Sequence, residues 1–113
     1  MYKEISKELV SFIQKSPTAF HAVEQMRSLL KDNGYEELLE GKKWHIEPGH
    51  RYFVTRNNSS IIALNLGTQL DNYSFNVAAS HSDSPTFKLK ENAELEVRGK
   101  YTQLNTEGYG GML

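Results

Sequence analysis

The sequence predicts an α/β fold, a helical hairpin followed by a mixed β-sheet, and three observations predict it. Apolar residues recur at helical spacing from Ile5 to Leu30. Short runs rich in β-branched and aromatic residues follow from Tyr52 to Leu66. Beyond Pro85 the pattern becomes a period-2 alternation of apolar and polar residues.

The first helix is expected from Lys3 to Gln14, where Ile5, Leu9, Phe12 and Ile13 fall at i, i+4, i+7 and i+8 and so form one stripe. Ser16 followed by Pro17 is a start signal for a second helix, with serine as cap and proline at the first helical position. Phe20, Val23, Met26, Leu29 and Leu30 mark its buried face, and Asn33-Gly34 marks its end. His21 lies next to that stripe and reads as a packed or surface histidine, outside any site. Two helices on one apolar seam make the hairpin.

After Tyr35-Glu36-Glu37-Leu38 the pattern changes. Trp44 is expected in the core, since no basic groove accompanies it as a stacking platform. Glu47-Pro48-Gly49 signals a turn, and His45 and His50 beside it read as surface or hairpin residues. Tyr52–Thr55 and Ile61–Leu66, separated by Asn57-Asn58-Ser59-Ser60, predict a β-hairpin. Gly67 and Asp71-Asn72 break the chain before a central strand expected from Tyr73 to Ser80.

That strand carries the chemistry. In extended chain, residues two apart share a face, so Phe75, Val77, Ala79, His81 and Asp83 line up, and Ser84-Pro85 stops the run. An imidazole and a carboxylate are thereby delivered side by side at a strand's C-terminal end, where open α/β sheets place their sites. A neutral imidazole binds a divalent ion, and a carboxylate on its other nitrogen fixes the tautomer. On spacing alone, the plainer account of His81 and Asp83 is a hydrogen-bonded pair in a loop.

Phe87–Lys90 and Ala93–Arg98 each alternate cleanly and predict half-exposed strands with one apolar face. The segment from Asn105 to Leu113 is rich in glycine; lacking a Lys-Ser/Thr pair and a following helix, it reads as a turn or linker and not as a phosphate cradle. Ending on Gly-Gly-Met-Leu as an apolar run begins, the chain reads as cut short.

Composition narrows the function classes. The chain has 113 residues, a formal net charge of −1 and interspersed charges, which argue against a nucleic-acid or acidic-membrane partner. With no cysteine, disulfides and thiolate metal sites are excluded. Any metal must be held by His, Asp and Glu, which suits zinc, manganese or cobalt. No signal peptide or membrane-spanning run is present, so a cytoplasmic protein is expected.

Three separated stretches, Ser16-Pro17-Thr18-Ala19-Phe20-His21-Ala22-Val23, Ala79-Ser80-His81-Ser82-Asp83-Ser84-Pro85 and Glu107-Gly108-Tyr109-Gly110-Gly111, occur in the order and approximate spacing of the amino-terminal part of the M18 metallopeptidases, the aspartyl aminopeptidase family. The sequence resembles that family over essentially its whole length. The resemblance implies an aminopeptidase that uses two zinc ions, or other divalent ions such as manganese or cobalt, to remove N-terminal residues from a peptide substrate. Those residues are acidic in the best-known branch and neutral or apolar in some relatives. It implies that His81 is a metal ligand and that Asp83 orients it. It further implies that the remaining ligands and the general base lie beyond the end of this chain, which would be inactive alone.

By the same resemblance, residues 1–90 form the first piece of a split zinc-exopeptidase catalytic domain. Residues 91–113 cross into an inserted β-rich domain used for assembly into a closed homo-oligomer. Lys90-Glu91-Asn92 departs from the pattern, standing where many members place a proline after the lysine. The alternative is a non-catalytic fragment that binds other subunits through exposed strand edges.

Overall fold

The computed structural model describes residues 2–72 and 74–111. The chain divides into two compact units, Met1–Ser82 and Asp83–Leu113. The first holds two helices and a three-stranded mixed sheet, and the second is a two-stranded antiparallel ribbon. Helices followed by mixed strands are the α/β class expected.

Helix α1 runs from Tyr2 to Gln14 and buries none of its residues. Ile5, Leu9, Val10 and Ile13 stay exposed, so the predicted stripe exists but is not sealed by a hairpin seam. Helix α2 spans Ala19–Asp32, and its cap is Thr18, not Ser16. Thr18 has extended backbone and accepts from the His21 amide, whereas the Ser16 hydroxyl is buried with no partner. The start moves two residues on because Thr18, not Ser16, stands three residues before an amide its hydroxyl can meet.

The end of α2 is as predicted. Asn33 caps it, Gly34 adopts φ +78°, and the Gly34 and Tyr35 amides return to the Lys31 and Leu30 carbonyls. That pair of bonds is a Schellman closure, which needs a left-handed residue at the glycine position. Of the predicted buried face, Val23 is buried and Met26 and Leu30 are half-buried, but Phe20 and Leu29 are exposed; Ala22 is buried instead. The helix rests on the sheet over a narrower arc than its apolar residues offer.

Strand β1 (Glu36–Leu38) runs parallel to β2 (Arg51–Arg56), which pairs antiparallel with β3 (Ser60–Asn65). The β2–β3 hairpin was predicted, and its turn places Asn57 and Asn58 at φ 51° and 52°, a conformation asparagine tolerates better than most residues. Strand β1 was not foreseen, because two glutamates in three residues do not look like a strand. Glu37 is accommodated by α2: Arg27 lies 2.9 Å and Lys31 2.8 Å from its carboxylate.

Those ion pairs identify the sheet face under the helix. Glu37 is in register with Phe53, so Phe53, fully buried at 0% exposure, points to the same side. On the opposite face Leu38, Tyr52 and Val54 form a cluster completed by Leu66. The loop after β1 attends that second face, where the Glu47 amide donates to the Tyr52 hydroxyl at 3.0 Å. Trp44 donates its indole N–H to the Leu39 carbonyl but is 39% exposed, so it is not the core residue expected.

Hydrogen bonding from Lys31, with Arg27 adding to it, holds the Glu37 carboxyl below the usual carboxylate pKa. A depressed folded-state pKa contributes stability that is present above the unfolded value and is lost as pH falls through the folded one. Glu37→Gln should therefore cost roughly 1 kcal/mol near neutrality. The cost should shrink as pH drops below the ordinary glutamate range, a dependence that urea melts at several pH values would reveal.

The second unit pairs β4 (Thr86–Val97) with β5 (Tyr101–Tyr109) through a turn with Arg98 and Gly99 at positive φ. The two alternating runs expected separately are one strand, interrupted by a bulge between Leu89 and Glu94. Register passes from Leu89↔Thr106 to Glu94↔Leu104, so five steps on β4 match two on β5. Three extra residues are an odd number, and each residue step reverses the side-chain direction. Consequently Phe87 and Leu89 share a face with Leu104, while Leu95 and Val97 lie on the other with Tyr101 and Tyr109.

Two expectations are corrected. The central strand is not formed: residues 74–85 are irregular chain, and Phe75 and Val77 are 81% and 82% exposed. The alternation is present, but no strand among the described residues stands beside it to take its backbone hydrogen bonds. Glu107-Gly108-Tyr109, read as turn or linker, is instead the end of β5, with Gly108 paired to Phe87 and Tyr109 to Thr86. Cross-strand pairing with the run after Pro85 overrides the glycine signal. Tyr73, the expected start of the central strand, and Met112-Leu113, the end of the glycine-rich segment, lie outside the described residues.

Candidate metal centre

The candidate residues sit on the connection between the two units. His81 is an exposed residue of the first. Immediately after it, the Ser82 hydroxyl donates to the Ser59 carbonyl at 2.8 Å and ties this connection to the β2–β3 turn. A side-chain bond to a turn carbonyl fixes the backbone one residue from the imidazole without a strand ladder.

Asp83 opens the second unit, two residues before Pro85 and three before β4 begins. Its Oδ2 accepts a 2.8 Å hydrogen bond from the Tyr109 hydroxyl. The Thr86↔Tyr109 register delivers the phenol there, since it sets the last residue of β5 beside the first of β4. That carboxylate, by hydrogen bond first and by charge second, holds the Tyr109 phenol above its usual pKa. On the same ring, the Lys88 ammonium stands 4.2 Å from the centroid, a cation–π distance.

Gly110 completes the junction. At φ +109° it occupies a region that side chains avoid, and a Cβ built there would come within 3.0 Å of Pro85 Cβ and 3.1 Å of its Cα. Only glycine lets the end of β5 press on the proline that starts the ribbon.

The other histidines stand away from any such cluster. His21 Nδ1 is 2.7 Å from the Thr18 hydroxyl at the head of α2. His50 stacks on Tyr52 at 6.2 Å and lies 3.4 Å from Glu47. Both are engaged as surface or hairpin residues, as expected, and His45 is exposed.

Among the described residues no three His, Asp or Glu side chains gather closely enough to hold an ion. The donors fit zinc in kind, an imidazole with a carboxylate nearby in sequence and no competing thiolate. They do not fit it in number, because zinc normally takes at least three protein ligands. The hydrogen bond of Tyr109 to Asp83 is not foreseen from the sequence, although Glu107-Gly108-Tyr109-Gly110-Gly111 stands out there as a motif. The available signal was the alternation after Pro85, which invites a strand partner.

The family described as Aminopeptidase I zinc metalloprotease (M18) matches residues 12–113. A "Probable M18 family aminopeptidase 2" of Clostridium novyi (strain NT) is 44% identical over 109 residues, covering 96% of this chain and 25% of that protein. An "Aspartyl aminopeptidase" of Dictyostelium discoideum is 42% identical over 113 residues, covering 99% of this chain and 23% of its own length.

Among solved structures, the cryo-EM structure of the Ape4 and Nbr1 complex superposes with a TM-score of 0.90 at 39% identity, over 96% of this chain and 21% of that one. The S. cerevesiae mApe1 dodecamer gives a TM-score of 0.78 at 29% identity, over 99% and 26%. The chain thus spans about a quarter of the length of the curated relatives it matches.

Proposed function

Since the chain belongs to the M18 family of aminopeptidase I zinc metalloproteases, we propose that the complete protein hydrolyses N-terminal residues from peptides with this chain supplying one metal ligand, His81, and its orienting carboxylate, Asp83. The observation that carries this is the match of residues 12–113 to a zinc metalloprotease family, with His81-Ser82-Asp83-Ser84-Pro85 inside it. The remaining ligands and the general base belong to parts of the protein outside these 113 residues. This chain alone is inactive.

His81 would bind through one ring nitrogen, and Asp83 would receive the N–H of the other, fixing the tautomer that leaves a lone pair for the ion. The chemistry two zinc ions supply when bound is Lewis-acid polarisation of the scissile carbonyl and acidification of water. The substrate is a short peptide with a free amino terminus. An acidic first residue is favoured by the 42% identity to a protein named aspartyl aminopeptidase. Residues 1–90 form part of the catalytic domain and 91–113 enter an assembly domain of a homo-oligomer, as the dodecameric relative suggests. The protein works in the cytoplasm; no helix among the described residues is long and apolar enough to cross a membrane.

The test is release of N-terminal residues from short peptides by the complete protein, before and after metal removal. A strong chelator should abolish release and added zinc restore it. Asp83→Asn should lower zinc affinity or turnover by about 10–100-fold with the fold retained. Release that persists through chelation, or an Asp83→Asn protein with wild-type zinc affinity and turnover, would refute this assignment.

A further inference from the structure

We propose that Tyr109 is a positioning residue of the metal centre, its hydroxyl fixing the Asp83 carboxylate so that Asp83 can in turn orient His81. The inference rests on the roles given above to His81 and Asp83 and extends them to a residue 26 positions away in sequence. Three observations converge on it. The Tyr109 hydroxyl donates to Asp83 Oδ2 at 2.8 Å. The Thr86↔Tyr109 register places the ring there by strand pairing, independently of that hydrogen bond. The close approach of Gly110 to Pro85 fastens the two chain segments on either side of it.

The arrangement answers a mechanical need. Asp83 lies on irregular chain, before any strand begins. A carboxylate on such chain has two side-chain torsions to settle, and an outer partner that wanders cannot hold an imidazole ring. The phenol comes from a paired strand, and its ring is further held under the Lys88 ammonium at 4.2 Å. A hydrogen bond to a carboxylate from a donor so placed selects one rotamer of Asp83. Two of the three motifs that identify the family, the one ending in Pro85 and the one around Tyr109, are on this account parts of one device.

The experiment is a zinc-affinity cycle in the complete protein, by competition with a graded chelator, on Tyr109→Phe, Asp83→Asn, the double variant and His81→Ala. Phenylalanine keeps the ring and its contact with Lys88 while removing only the hydroxyl, and a thermal midpoint reports on folding. The expected result is zinc affinity roughly three- to tenfold weaker in Tyr109→Phe, with no further loss when it is added to Asp83→Asn. If Asp83→Asn and His81→Ala weaken zinc but Tyr109→Phe does not, or if its effect is undiminished in the Asp83→Asn background, the tyrosine has no such role while the metal assignment stands. A lowered thermal midpoint with unchanged zinc affinity likewise overturns it and leaves a purely structural bond. If neither Asp83→Asn nor His81→Ala affects zinc, the underlying assignment fails and the proposal with it.

Discussion

His81→Ala in the complete protein should reduce bound zinc and all but eliminate release of N-terminal residues, while leaving the fold intact. The second half follows from position. His81 is exposed, in no helix or strand, and the neighbouring backbone is fastened by Ser82 to Ser59. Truncating such a side chain creates no core cavity, and surface substitutions of this kind usually fall within about 0.5 kcal/mol. The first half follows from chemistry. Losing an outer partner of a ligand typically costs about 10–100-fold, and losing the ligand itself should cost more, because the ion is left one donor short. Zinc per chain after dialysis, the hydrolysis rate and the thermal midpoint together decide the matter. Stoichiometric zinc with wild-type turnover would return His81 to an ordinary loop imidazole.

The largest effect on stability is expected at Phe53. Its side chain is fully buried, on the middle strand of the sheet and on the face that α2 covers. Phe53→Ala removes a ring from a site where strands on both sides limit collapse, and about 3–5 kcal/mol should be lost. That is a large share of the 5–15 kcal/mol typical of a whole domain. Phe53→Leu keeps most of the volume and should cost under about 1.5 kcal/mol. Denaturant midpoints of the two variants test the ranking; equal costs would mean that the helix does not seal this face.

Much of this fold is legible in the sequence because it is local. The Asn33-Gly34 stop and the β2–β3 turn through Asn57-Asn58 are decided within a few residues, and the sequence predicts both, though not the left-handed conformation of the asparagines. What was not legible depends on distant partners. Strand β1 forms by pairing with β2, and Arg27 and Lys31, on a different element, neutralise its Glu37. The last residues of β5 look like a linker until the run after Pro85 pairs with them. The stretch around Phe75 fails the other way, since its alternation promised a ladder that none of the described strands provides. Likewise His81 and Asp83 stand out by their spacing, whereas Tyr109 becomes visible only once the register of β4 and β5 is known.

The bulge in the ribbon has a consequence for how that element meets its surroundings. Because three residues are spent without a partner, the apolar side chains of the near half, Phe87 and Leu89, and those of the far half, Leu95 and Val97, emerge on opposite surfaces. The ribbon behaves like a belt with a half-turn in it, and a single flat neighbour can dry only one half. With the pairing on either side kept, shortening 90–93 leaves the half-turn in place, because each half takes its face from its partner on β5, which alternates without a break. Gathering the oily side chains onto one surface requires one half to move by a single step of register along β5. Register along β5, and not the length of this short stretch, therefore decides which surface each half offers.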